Sequence, residues 1–77
     1  MQQLDLIGLA CPMPVLRVKK ALAKMLPGER LLARTDDPHA VGDLALFAKQ
    51  SGHTIVSQEA DPQNPAVTIH VMQRKET

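Results

Sequence analysis

The chain contains one cysteine, no tryptophan, no tyrosine and a single phenylalanine in 77 residues. Each shortage excludes a class of protein. A lone cysteine cannot close an intramolecular disulfide, so a small secreted scaffold stapled by bridges is ruled out. The missing aromatics remove the base-stacking platforms that single-strand binders use. A formal net charge of +1 lacks the basic excess of a dedicated phosphate-backbone binder. Long apolar runs are absent as well. The longest uncharged stretch, Leu6 to Leu16, covers eleven residues and includes Pro12 and Pro14, against the ~20 apolar residues of a spanning helix. Its Leu9-Ala10-Cys11 ending faintly resembles a lipoprotein cleavage box. No basic segment precedes it, however, Asp5 interrupts the apolar run, and prolines follow the cysteine. The expected location is the cytoplasm, where a free thiol stays reduced.

What remains is an ordinary globular mix, 44% apolar and 22% charged. Two cores would each fall below the ~40 residues a domain can manage unaided, so one domain over residues 1–77 is expected. Punctuation divides it. Leu4 to Ile7 reads as a strand ended by Gly8. From Pro12 to Met25, Val15, Val18, Leu22 and Met25 recur at helical spacing, with Pro12 suited to the first helical position. Leu26-Pro27-Gly28-Glu29 is a turn, and Arg30 to Thr35 a strand. Asp36-Asp37-Pro38 reads as a capping start for a second helix that runs to about Ser51. Val41, Leu44, Ala45 and Ala48 should point inward, with Gly52 as the terminating residue. His53 to Ala60 and Ala66 to Met72 read as strands joined by a turn over residues 61–65. In the last strand Val67, Ile69 and Val71 form the expected buried face, leaving His70 on the wetter one. The order β-α-β-α-β-β predicts an α+β fold, a two-layer sandwich with two helices on one face of a four-stranded mixed sheet.

Chemistry concentrates at Cys11-Pro12-Met13-Pro14. If Pro12 opens the helix, the Cys11 sulfur approaches free N–H groups such as that of Met13, and the helix dipole favours thiolate. A dipole effect of about 0.3–1 kcal/mol, rising to ~2 in good geometry, predicts a thiol pKa of about 7–8. A dithiol oxidoreductase needs a resolving thiol that this chain lacks. A cysteine hydrolase pairs its thiol with a histidine, and no spacing brings His39, His53 or His70 to Cys11. Carrying sulfur as a persulfide suits a single cysteine, because a second one nearby would attack the inner sulfur and discharge the cargo. The histidine spacings follow no metal-ligand motif, so no metal and no cofactor are expected beyond the transient persulfide. Asp36 and Asp37 read as capping residues rather than a catalytic pair, and Asp43 as a surface residue, the alternative being that it faces the first turn and orients the cysteine loop.

These residues resemble those of the TusA, or SirA-like, family of small sulfur carriers. Leu4-Asp5, Gly8-Leu9, Cys11-Pro12-Met13-Pro14-Val15, Pro27-Gly28-Glu29, Asp36-Asp37-Pro38, Asp43-Leu44 and Gly52-His53 carry the likeness over nearly the whole chain. Cys-Pro-x-Pro after Gly-Leu is its most distinctive element. The resemblance implies the sandwich found in the C-terminal domain of translation initiation factor three. It also implies a sulfurtransferase role in which Cys11 accepts sulfane sulfur from a cysteine desulfurase or rhodanese and passes it to a relay protein. The pathways so implied are tRNA wobble-uridine thiolation, molybdenum-cofactor assembly and sulfur oxidation. Gly8, Pro12, Met13 and Pro14 would shape the site. Ala10, Met13 and Gly42 depart from the residues many members carry.

Arg17, Lys19, Lys20 and Lys24 hold four of the nine cationic side chains, and no acid intervenes between Pro12 and Gly28. They read as a docking stripe for an acidic partner surface, or as a solvated helix face. The rival function is a non-enzymatic regulatory module that binds through this helix or the open sheet face. No direct nucleic-acid or membrane partner is expected. RNA binding by fold analogy alone is the weakest alternative.

Overall fold

A computed structural model describes residues 1–76. Its elements are β1 (Gln2–Asp5), α1 (Met13–Ala23), β2 (Arg30–Thr35), α2 (Ala40–Ser51), β3 (Thr54–Asp61) and β4 (Asn64–Gln73), in the predicted order. The strands form one sheet in the order β1-β2-β4-β3. β1 runs parallel to β2, whereas β2–β4 and β3–β4 are antiparallel. A parallel neighbour cannot be reached by a tight turn, and α1 supplies the crossover.

With so few aromatics the core is aliphatic. Val18 and Leu22 of α1 and Leu44 and Ala48 of α2 close over Leu31, Ala33 and Met72 of the sheet, joined by Leu6 and Met25. Each helix ends on a specific device. Gly52 takes φ +88° and donates its N–H to Ala48 O at 2.9 Å, a left-handed cap that glycine adopts without steric cost. At the far end of α1, Arg74 Nε donates to Leu22 O at 3.0 Å. The Arg74 backbone exchanges hydrogen bonds with Gly28 and Glu29, so the chain just after β4 is fastened to the end of that helix.

The structure corrects several details of the sequence reading. β1 lies two residues earlier than expected, although Leu6 N–H still bonds Arg34 O at 2.8 Å. The turn between β3 and β4 shrinks to Pro62-Gln63, because Asp61 and Asn64 are already paired. Their side chains accept the N–H groups of Gln63 and Ala66 at 2.9 and 3.1 Å. In α2 the inward row is Ala40, Leu44 and Ala48, while Val41 and Ala45 are exposed. The i, i+4, i+8 stripe leaves those two roughly 100° around the helix.

His70 is the largest correction. Register pairs it with Ala33 and pairs Met72 with Leu31, and paired residues share a sheet face. His70 therefore sits on the helix side, sealed from solvent. Its Nε2 lies 2.7 Å from Thr35 Oγ1 and its Nδ1 lies 3.0 Å from Gln58 Nε2, an amide that also donates to Val41 O at 3.0 Å. The apolar alternation of β4 pointed the wrong way because these partners make a buried imidazole tolerable. Burial lowers its pKa and keeps the ring neutral. No helix among the described residues is long and apolar enough to cross a membrane.

Candidate functional site

Cys11 is exposed and lies in the connection from β1 to α1, where local turns set the path of the chain. Asp5 Oδ1 accepts Ile7 N–H at 3.0 Å. Gly8 follows at φ +85°, a region that disfavours side chains, and Leu9 N–H returns to Leu6 O at 3.2 Å. The rest of the support comes from the β2–α2 connection. Asp36 Oδ1 accepts Gly8 N–H at 2.9 Å, and Asp37 Oδ2 accepts Cys11 N–H at 2.7 Å.

These carboxylates do more than the capping role expected of them. The residue preceding α2 is His39, which makes no side-chain cap bond. Asp37 Oδ1 accepts His39 N–H at 3.2 Å and pairs with its ring at 3.3 Å, so one carboxylate braces both α2 and the cysteine loop. The His39 N–H bond leads in holding the Asp37 pKa below the usual carboxylate value; loss of hydration opposes it, and the Cys11 N–H bond and the His39 ring add to the lowering. A signal for this clamp existed. Parallel β1 and β2 end on the same side of the sheet, so the loops that follow them must meet.

At the start of α1 the expected amide donor is spent. Pro12 precedes the helix through a cis Cys11–Pro12 bond, Pro14 has no N–H, and Met13 N–H donates to Ala10 O at 2.9 Å. The Met13 amide therefore does not serve the sulfur. The predicted thiol pKa is overturned as well. Asp43 leads in raising it above the ordinary value, because its carboxylate draws the thiol hydrogen. Slight loss of hydration and the negative charges of Asp43 and Asp37 add to the effect. Rather than lying on an unrelated surface, Asp43 shares with Cys11 a concavity of about 280 Å³ between α1 and α2. Pro12, Val15, Leu46, Phe47 and Gln50 complete its lining.

The basic residues lie elsewhere on α1. Arg17, Lys20 and Lys24 line a separate groove of about 490 Å³ with Ala21 and with Leu4 of the edge strand β1. Lys19 is exposed but does not line that groove, and none of the four forms an ion pair among the described residues. Met13 is exposed beside Cys11, whereas Pro14 is buried under the first turn. His53 accepts Lys75 N–H at 3.0 Å through Nδ1, and His39 meets the cysteine loop through Asp37. Among the described residues no cluster of three or more His, Cys, Asp or Glu side chains is arranged to hold a metal ion.

Residues 2–72 match the family described as sulfurtransferase TusA. Two relatives, from Neisseria meningitidis serogroup A and serogroup B, are each 42% identical over 74 residues, covering 96% of both chains. Each bears the name "putative sulfur carrier protein". The crystal structure of a SirA-like protein from Desulfitobacterium hafniense superposes with a TM-score of 0.84 at 26% identity, over 99% of this chain and 100% of the other.

Proposed function

This chain belongs to the TusA sulfurtransferase family, and on that premise we propose that it carries sulfane sulfur as a persulfide on Cys11. The observation that carries the reading is the exposed sulfur itself, at the mouth of a concavity, on a loop pinned by two carboxylates. In the loading step, the Cys11 thiolate attacks the outer sulfur of a donor persulfide. A sulfur–sulfur bond forms on Cys11, the donor's sulfur–sulfur bond breaks, and the electron pair leaves with the donor's inner sulfur as thiolate. An acceptor thiolate repeats the exchange on the Cys11 persulfide. Neither step has net oxidation, so no cofactor is required.

The donor in this reading is a cysteine desulfurase or a rhodanese, and the acceptor is a downstream relay protein. Gly8, Pro12, Met13 and Pro14 shape the loop. Arg17, Lys19, Lys20 and Lys24 steer acidic partner surfaces. Incubated with several desulfurases and free cysteine, or with rhodanese and thiosulfate, the protein should gain the mass of one sulfur atom, and Cys11→Ser should gain none. A wild-type protein that alkylates at Cys11 yet takes sulfur from no donor would refute the proposal. Partner binding unaffected by Cys11→Ser, without sulfur transfer, would establish the regulatory module instead.

A further inference from the structure

The concavity beside Cys11 holds a charge with no counter-charge. Its walls are Pro12, Val15, Leu46 and Phe47, with one amide from Gln50 and one carboxylate from Asp43. Asp43 enters no ion pair among the described residues. Its position in the first turn of α2 suits the helix dipole, which explains a carboxylate on that turn but not the apolar wall around it. Leu46, on the same wall, is 55% exposed. A carboxylate ringed by accessible apolar side chains fits a cation presented on an apolar segment.

Given that Cys11 carries sulfur, we propose that Asp43 is the docking carboxylate for a lysine or arginine of the cysteine desulfurase that loads it. The partner's apolar neighbours would lie against Leu46 and Phe47. Arginine suits the position better, because its planar fork is weakly hydrated and matches a carboxylate. Docking then acts on the chemistry. In the free protein the Asp43 carboxylate favours the protonated thiol, and a cation paired with it weakens that influence. The sulfur is held back while the carrier is alone and ionises more readily once the partner is seated.

Two measurements on the intact protein test this. The first compares a trimethylammonium and a sulfonate methanethiosulfonate reagent, both of which form a disulfide with Cys11. The thiolate itself favours the cationic reagent, so the readout is the ratio of the two rates: it should be at least roughly fivefold higher in wild type than in Asp43→Asn, the scale of one charge pair near contact in water. The second is loading from a cysteine desulfurase supplied with free cysteine. Asp43→Asn should load at least about tenfold more slowly, the scale on which charge complementarity acts, while Asp43→Glu keeps most of the rate. Neutral iodoacetamide should alkylate Asp43→Asn at pH 7 no more slowly than wild type, which excludes a damaged loop. Wild-type loading matched by Asp43→Asn, or a reagent rate ratio that the substitution leaves unchanged, would overturn the docking role and leave the carrier reading intact. Wild type that loads from no donor would remove both.

Discussion

On one side of α1 lies the concavity of Cys11, small, apolar and marked by a single carboxylate. On the other, against β1, lies a groove of nearly twice the volume lined by Arg17, Lys20 and Lys24. One helix thus separates two surfaces of opposite charge. Exposed cations act over a Debye length of about 8–10 Å and mainly set encounter rates. A carboxylate that shares the sulfur's concavity acts on the reacting atom itself. The contrast teaches that attraction and reactivity can be placed on different faces of one short element, each adjustable without the other.

The largest departure from that picture would come from reversing the groove. Arg17→Glu, Lys20→Glu and Lys24→Glu combined should slow sulfur loading by roughly tenfold or more at low salt, the lower end of electrostatic steering. The deficit should shrink at high salt, with iodoacetamide alkylation of Cys11 unchanged. Loading kinetics across a salt series read this directly, and an unaltered rate would mark the groove as hydrated surface.

A smaller effect is expected on the other face. Asp37 has a lowered folded pKa, so its stabilisation is complete above the ordinary carboxylate value of about 3.9 and disappears as pH falls through the folded value. Asp37→Asn should lower the thermal midpoint by a few degrees at neutral pH and flatten its decline in acid. The same variant should leave the salt dependence of loading untouched, which separates the two faces.

The smallest effect belongs to His70, buried between Thr35 and Gln58. Its folded pKa is lowered by burial, so the unfolded chain takes up a proton first as pH drops below about 6.5, and stability declines from there. His53, lowered by burial and by Lys75 and Arg74, adds to the same slope. His70→Gln should remove only the His70 share of the loss in urea midpoint between pH 7.5 and 5.5, measured at fixed temperature (pH values chosen to bracket the ordinary histidine range of roughly 6.5).

The fold was legible because its signals are local. Helical spacing at Val18, Leu22 and Met25, the glycine stop at Gly52 and the strand from Arg30 to Thr35 each act within a few residues. Cys11 stood out for a similar reason, as a single thiol between a loop glycine and paired prolines. The surroundings of the sulfur were not legible, since they are built across the chain. Asp36 and Asp37 reach back 28 and 26 residues to Gly8 and Cys11, and Asp43 joins the cysteine's concavity only where two helices pack. The amide expected to favour thiolate was already committed to Ala10. His70 was misread because alternation reports polarity, not the partners that render a buried ring acceptable.

The paired prolines have one more effect. A helix whose opening residues have few amide hydrogens to offer cannot grip an anion, so cargo on Cys11 would be tethered by its covalent bond and little else. Handing it over would then disturb almost nothing in the carrier. Traffic through such a protein could run either way, with the direction decided by the proteins at its two ends.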